Sequence, residues 1–432
     1  TGHLPSLRNQ GKSHPRQSSI IRSITNVTDV EEALAQAGVF SFPAQSACAA
    51  ALGSKPGSLA TPFHTAQLRA RNRAASSRAM KRLKRGVSLF ASTNPDEYFC
   101  GTLKRAVRIY SPEGKQQVQL LGGPNFLTAQ PDSPLLNELS ALQLIDTSES
   151  ALTLTKRYDA SATGRDAAFQ QLRTRVAAEL TQTTWIDGVT DTGVKVLSAR
   201  QSYLIEISGS NRVATLLYSL LLASGVTQVR YCAKSVAHAR ISDLDISLAG
   251  ISPKDIGAPL IKERETHRQD LSLFPLDKEF SYLDELSTPD LSIHCGDLDP
   301  ERYAHWMASG QPFLHIPSPI ADIAEIGPLV IPGKTPCIRC AHLSRQSHNG
   351  ATPVPTLPTS LATTSDGYPV IAAHYVAAIA ASLALSFCDC LTREEVCAVT
   401  GKVTICDYQS LSTPQEVVIA RHPHCGCSFN DR

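Results

Sequence analysis

The chain has 432 residues, an apolar share of 42% and a formal net charge of +2. That length suffices for two or three domains with packed cores, and the composition is that of an ordinary globular protein rather than a disordered one. The small net charge hides an asymmetry: residues 1–90 contain 13 Lys/Arg against 3 Asp/Glu, so the rest of the chain is acidic.

In chain order, residues 1–90 show no strong period. Thr25–Gly38 is read as one capped helix starting at Thr28 or Asp29. The Arg/Lys-rich stretch Gln67–Arg85, ending in MKRLKR, reads as a solvated basic arm or helix. Its other reading is a handle for an acidic partner. No aromatic residues interleave with the basic ones, so nucleic acid is not expected as a partner. Region 1–101 is therefore taken as a basic, poorly ordered or partly helical segment.

From Leu103 the pattern changes. Ala106–Tyr110 and Lys115–Leu121 alternate apolar and polar residues around Ser-Pro-Glu-Gly, which predicts a β-hairpin. Asn125–Gln130 follows as a third strand. Pro134–Leu142, Glu149–Tyr158 and Asp166–Trp185 follow as helices, the last with Phe169, Leu172, Val176 and Leu180 at helical spacing. Three strands and three helices over 102–187 predict a small winged-helix-like α+β domain. It either packs passively or offers a strand edge to a peptide.

Ser202–Ile207, the helix Arg212–Ser224 and the strand Gly225–Tyr231 form a β-turn-α-β unit, the opening of a doubly wound α/β sheet. The turn Gly209-Ser210-Asn211-Arg212-Val213-Ala214 contains one glycine where a dinucleotide turn has three. The second strand ends in Cys232-Ala233-Lys234-Ser235, with no carboxylate to hold a ribose. Further strands are read at Asp290–Cys295, Pro312–Ile316 and Ile326–Ile331, with a helix at Glu301–Ser309. Residues 346–368 read as an exposed crossover loop. An Ala-rich helix spans 370–391; it contains His374 and is barely long enough to cross a membrane, so a core or dimer-interface helix is the reading preferred. Lys402–Asp407 and Glu416–Ala420 are an antiparallel pair.

Cys337 and Cys340 lie three apart after a Pro-Gly turn, and Cys425 and Cys427 lie two apart near residue 432. Two close pairs far apart in sequence read as a four-thiolate structural zinc site. His342, His422 or His424 could replace a ligand, and a disulfide is the remaining option. Cys388, Cys390, Cys397 and Cys406 are read as buried thiols, with an acyl-accepting thiol as the alternative. His294, at the C-terminal end of a strand, is read as a hydrogen-bonded core histidine, with a site residue as the alternative. With 12 cysteines in a chain of this size, metal thiolates and reduced buried cysteines in a cytosolic setting are expected.

Three segments together carry a resemblance. They are SYLIEISGSNRVATLLYSLLLASGVTQVRY, ISDLDISLAGISPKDIGAPLIKE, and GPLVIPGKTPCIRCAHLSR with the terminal HPHCGC. Over roughly 195–430 the chain resembles the ThiF-type, ubiquitin-activator-like adenylating family. It is most similar there to the ThiF-like partner proteins of thiazole/oxazole-modified microcin biosynthesis, of actinobacterial type. The 102–187 region is similar to the peptide-clamp domain placed ahead of the ThiF-like domain in that group.

The resemblance implies a Rossmann-like ThiF domain at 195–432, a structural zinc, a homodimer and a cytoplasmic location. It implies binding of a precursor-peptide leader, with Lys104, Arg105 and Arg108 as candidate contacts, and presentation to a YcaO-type cyclodehydratase for azole formation. The family's adenylation needs a glycine-rich turn, an acid after the second strand, an arginine and a lysine. Here those positions fall at the depleted turn, at Cys232–Ser235, near Ile246 and near Leu260. Gly209, Asn211 and Arg212 are therefore read as a vestigial nucleotide turn, and no catalytic residue is assigned. The alternative is an ATP-dependent adenylating enzyme acting on a carboxylate of a peptide or sulfur-carrier protein.

Overall fold

The structure, a computed structural model, describes residues 21–24, 80–123, 127–128, 133–148, 150–154, 165–232, 236–246, 251–266, 268–276, 287–349, 367–409 and 413–427. The helix expected at Thr25–Gly38 lies outside these residues, as do 350–366 of the expected crossover loop. The chain divides into two compact units: Thr1–Ser150 with Thr184–Gly193, and Ala151–Thr183 with Val194–Arg432.

The first unit contains strands β1 (Ile21–Ile24), β2 (Met80–Leu83), β3 (Ser88–Ala91), β4 (Tyr98–Gly101) and β5 (Ala106–Ile109). Helix α1 (Pro112–Leu121), strand β6 (Leu127–Thr128), helix α2 (Pro134–Ala141) and strand β7 (Ile145–Asp146) follow. One antiparallel sheet has the order β1-β5-β4-β3, and a second has the order β6-β2-β7. Val107, Ile109, Val118, Leu121, Leu135, Leu136 and Leu139 form one buried cluster between the first sheet and the two helices. Each such side chain contributes about 1.5–3 kcal/mol on removal from water.

The hairpin expected over Ala106–Leu121 is not formed. Residues 112–121 are helix α1, and β5 pairs with the upstream strand β4. The reason is local. Ser111 is extended and its Oγ accepts the Gly114 amide at 3.0 Å, which makes it an N-cap. Pro112 then sits at the first helical position, where its missing N–H costs nothing. A Ser-Pro-Glu-Gly string serves a turn and a helix start equally well. The burial of Val118 and Leu121, three apart, decides for the helix.

The end of the basic run, residues 80–85, is more structural than a solvated arm. Within it β2 is a strand, and Lys84 is 2% exposed. The Lys84 ammonium donates to the carbonyl oxygens of Thr184 and Val189. Burial pulls its pKa down from the usual lysine range, against the pull of the nearby Asp146 carboxylate.

The second unit begins with α3 (Arg165–Thr183) and α4 (Val194–Ala199). Then come β8 (Leu204–Ser208), α5 (Arg212–Ala223), β9 (Gln228–Tyr231), α6 (Leu260–Thr266) and α7 (Arg268–Leu271). The chain continues through β10 (Leu291–Cys295), α8 (Pro300–Ser309), β11 (Phe313–Ile316), β12 (Ile323–Ile326) and β13 (Leu329–Val330). It ends with α9 (Ile338–Asn349), α10 (Val370–Arg393), β14 (Lys402–Asp407) and β15 (Gln415–Val418).

The main sheet has the order β13-β11-β10-β8-β9. Its four strands β9, β8, β10 and β11 are parallel, and β13 is antiparallel to β11. This is a mixed α/β unit with a Rossmann-like parallel sheet. The expected strand at Ile326–Ile331 is divided: β12 leaves the main sheet to pair with β14, while β13 stays.

Helix α10 lies along α5 and buries Ala372, Ala373, Val376, Ala377, Ala380 and Ala384. The small alanines let the two helices approach closely. Among the described residues it is the one helix long and apolar enough to cross a membrane, and half of its most apolar window is buried.

Candidate functional site

The last strand pair and the start of α9 bring the four predicted cysteines together. Thr335 closes the Pro-Gly turn, its Oγ1 accepting the Ile331 amide at 2.8 Å. The chain then enters α9 with Cys337 just before it and Cys340 in its first turn. From the far end, β15 leads past Ile419, whose amide donates to the Gly401 carbonyl at 2.8 Å. Arg421 then donates to the Gly333 carbonyl, which ties the terminal segment to the Pro-Gly turn.

The sulfurs of Cys337 and Cys425 are 3.4 Å apart, those of Cys340 and Cys427 3.4 Å, and those of Cys337 and Cys340 3.8 Å. All four lie within 4.8 Å of one another. Four ligands at about 2.3 Å from one tetrahedral ion stand about 3.8 Å apart, so this spacing can hold a metal ion and is compatible with zinc. None of the four is in a disulfide. Their surroundings are Trp306, Phe313, Val330, Ile338, Val403 and Ile419, an apolar shell that keeps water away. The Cys340 sulfur also accepts the His422 amide at 3.4 Å, a bond suited to a thiolate. The expected histidine substitutes lie outside the four-sulfur group. The His422 ring is engaged elsewhere, by the His424 amide and the Ser347 hydroxyl. Four thiolates would complete a closed, structural coordination shell, with no position for a substrate.

The second feature is the switch point of the parallel sheet, between the carboxyl ends of β8 and β10. Here Gly209 has φ +105°, and a Cβ on it would come within 2.1 Å of the Cys295 carbonyl oxygen, so only glycine fits. Asn211 is the N-cap of α5, its side chain accepting the Ala214 amide at 3.0 Å. Arg212 donates to the carbonyls of Leu244 and Tyr368, the latter at 2.7 Å. Asn211 and Arg212 of the expected nucleotide turn therefore bind the protein's own main chain. Cys232 follows β9, and its amide donates to the Ile207 carbonyl.

His294 stands beside the turn. Its Nε2 is 2.8 Å from the Asp297 carbonyl and its Nδ1 is 2.7 Å from Ser208 Oγ. A carbonyl only accepts, so Nε2 carries the proton and Nδ1 accepts from the Ser208 hydroxyl. Burial lowers the His294 pKa. Both ring nitrogens are satisfied internally, and His294 is a hydrogen-bonded core histidine. Its neighbour His315, stacked at 5.9 Å, donates from Nε2 to the Gly296 carbonyl and is pushed down to about 4 by burial.

Cys388, Cys390, Cys397 and Cys406 are all buried. Burial raises the Cys397 thiol to about 12 and the Cys406 thiol to about 11, the opposite of what an activated nucleophile needs.

The candidate peptide contacts do not form one strand face. Lys104 and Arg105 occupy the β4–β5 turn, and only Arg108 is on β5. Arg105 lies over the Trp185 ring and 3.7 Å from Asp187. Arg108 lies 3.0 Å from Glu97 and over the Phe99 ring.

One interaction was not signalled by any motif. Arg200 Nε and Nη2 reach the two carboxylate oxygens of Asp389 at 2.9 and 2.7 Å, and both side chains are almost fully buried. The available clue is Asp389 itself, a carboxylate within the otherwise apolar helix α10.

No family model and no curated protein sequence matches the chain. Solved structures do. Escherichia coli MccB with AMPCPP and selenomethionine MccA matches with a TM-score of 0.54 at 14% identity, over 81% of this chain and 99% of that one. E. coli MccB with ATP matches at 0.52 and 14%, over 80% and 99%. The microcin C7 biosynthetic enzyme MccB with N-formylated MccA matches at 0.53 and 15%, over 81% and 99%. At such identities the likeness shows the fold alone, a mixed α/β fold with a Rossmann-like parallel sheet shared with MccB.

Proposed function

We propose that this chain is a non-catalytic, ThiF-like partner protein. It binds the leader of a ribosomal precursor peptide and presents the peptide to a YcaO-type cyclodehydratase for thiazole or oxazole formation. The observation that carries the non-catalytic part is the engagement of Asn211 and Arg212 with the chain's own backbone. An adenylating site must place positive groups and free donors on the triphosphate, where charge develops. Here the turn's arginine is used to fasten α5, and the strand beside it ends at Cys232 rather than at a carboxylate.

The peptide-binding part is supported by the neighbours, which are structures of MccB together with MccA. The first unit would serve as a winged-helix-like clamp, with its β-sheet offering the leader a strand to pair with. Zinc on Cys337, Cys340, Cys425 and Cys427 would be structural. The apolar outer face of α10, with Val370 and Ile371 exposed, would suit a homodimer. The setting would be the cytoplasm.

The test is titration of a labelled leader from a precursor encoded beside this gene. Saturable binding that is indifferent to ATP is the expected result, and no binding to any such leader overturns the reading. A second reading, ATP-dependent adenylation, is favoured by the MccB structures that hold ATP or AMPCPP. Pyrophosphate exchange dependent on a carboxylate substrate would establish it.

A further inference from the structure

We propose that Ile21–Ile24 is a tethered stand-in for the peptide partner. It fills the outer edge of β5, and an external extended peptide pairs there only by displacing it. The external half of this proposal rests on the leader-binding reading; the self-pairing does not.

Strand β1 runs antiparallel to β5, with Ile21 opposite Ile109, Arg22 opposite Arg108, Ser23 opposite Val107 and Ile24 opposite Ala106. It is the outermost strand of its sheet, and without it β5 would be the edge. The hydrogen-bonding direction follows from the β4–β5 turn. That turn is closed by the Thr102 amide donating to the Arg105 carbonyl at 2.8 Å. Hydrogen-bonded pairs alternate along an antiparallel ladder. The bonds to β4 therefore fall at Val107 and Ile109, opposite Cys100 and Tyr98. The amides and carbonyls of Ala106 and Arg108 face the other way, toward Ile24 and Arg22 of β1. β1 also runs beside helix α2. A strand lying between a sheet edge and a helix occupies the kind of slot in which extended peptides add to a sheet.

The self-strand is poorly matched to its place. Only four residue pairs hold it. The register sets position 22 opposite Arg108, where an acidic residue pairs better than a basic one. Glu97, just before β4, lies 3.0 Å from Arg108. Lys104 and Arg105, in the turn that leads into β5, place positive charge at its Ala106 end. A peptide with a carboxylate at the Arg22 position would pair better than the chain's own segment. The partner is therefore an extended peptide carrying an acidic residue opposite Arg108. An attached competitor acts at a high effective concentration, so it raises the apparent Kd of any external peptide.

The test is amide hydrogen exchange on the full chain and on an Arg22→Pro/Ile24→Pro variant, which lacks the two N–H groups that meet β5. The amides of Ala106 and Arg108 should exchange at least about tenfold faster in the variant, while those of Val107 and Ile109 stay unchanged. In an Arg22→Glu chain the Ala106 and Arg108 amides should exchange more slowly than in the native one.

A labelled peptide with the sequence of residues 17–28 should bind the proline variant saturably and the native chain at least about tenfold more weakly. The same peptide with Arg22→Glu should bind the proline variant about threefold more tightly or better. Unchanged exchange at Ala106 and Arg108, or equal peptide binding by both chains, overturns the proposal. That outcome leaves leader binding standing. If the amides respond but the precursor leader binds neither chain, the self-strand stands and the leader-binding reading falls.

Discussion

The cysteine tetrad and the turn after β8 belong to one unit and to one family resemblance, yet their polar groups are engaged in opposite ways. In the tetrad, four sulfurs from two distant segments converge within 4.8 Å and face one another. At the turn, two polar side chains bind the chain itself: Asn211 caps α5, and Arg212 holds the carbonyls of Leu244 and Tyr368. A site that keeps its ligand keeps groups unpaired until the ligand arrives. A site that no longer needs one can use the same residue types to fasten its own helix. Side-chain engagement, more than residue identity, separates the two features.

The largest effect should come from breaking the tetrad. Cys337→Ser or Cys425→Ser should reduce bound zinc from about one ion per chain to almost none and cost several kcal/mol, because metal binding and folding are coupled. Metal analysis together with chelator-dependent unfolding checks this, and a variant that stays folded without metal would show the tetrad to be dispensable.

Next in size is the buried pair that joins α10 to the segment before β8. Arg200→Met leaves the Asp389 carboxylate buried and unpaired and should cost about 3–5 kcal/mol in urea unfolding. The double variant Arg200→Met/Asp389→Leu should recover most of that loss, since two apolar groups leave no charge stranded.

A smaller change sharpens the contrast at the turn. Arg212→Met should lower stability by about 1–3 kcal/mol through the lost charge-assisted bonds, and should leave ATP binding unchanged because none is expected to begin with.

The pH dependence should be confined to the acid side of pH 6.5. His315 titrates at about 4 in the folded chain against about 6.5 unfolded, so the unfolded chain takes up its proton first as pH falls. Its contribution is present above pH 6.5 and is lost progressively toward about pH 4, and His294 adds in the same direction. Unfolding midpoints measured across that window should flatten in a His315→Gln variant.

Much of the second unit was legible in the sequence. The strand–turn–helix–strand run at 204–231 has apolar stretches long enough to mark β8, α5 and β9, and the cysteine spacing marked the metal site without any structure. The first unit was less legible because its signals are ambiguous over short windows. Ser111-Pro112-Glu113-Gly114 fits a turn as well as an N-cap, and only the burial of Val118 and Leu121 separates them. Lys84 looked like part of a solvated run, since nothing nearby in sequence reveals that two distant carbonyls will receive its ammonium. The Arg200–Asp389 pair spans 189 residues, and such partners are invisible until the fold brings them together.

The most direct test of the proposed contrast, a metal-holding tetrad beside a turn that binds no nucleotide, is a calorimetric titration of Mg·ATP into protein shown to carry one zinc per chain. The expected result is full metal occupancy with no heat of ATP binding up to about millimolar concentration, which means a binding free energy weaker than about −4 kcal/mol. Saturable binding in the micromolar range by the zinc-loaded protein would contradict it.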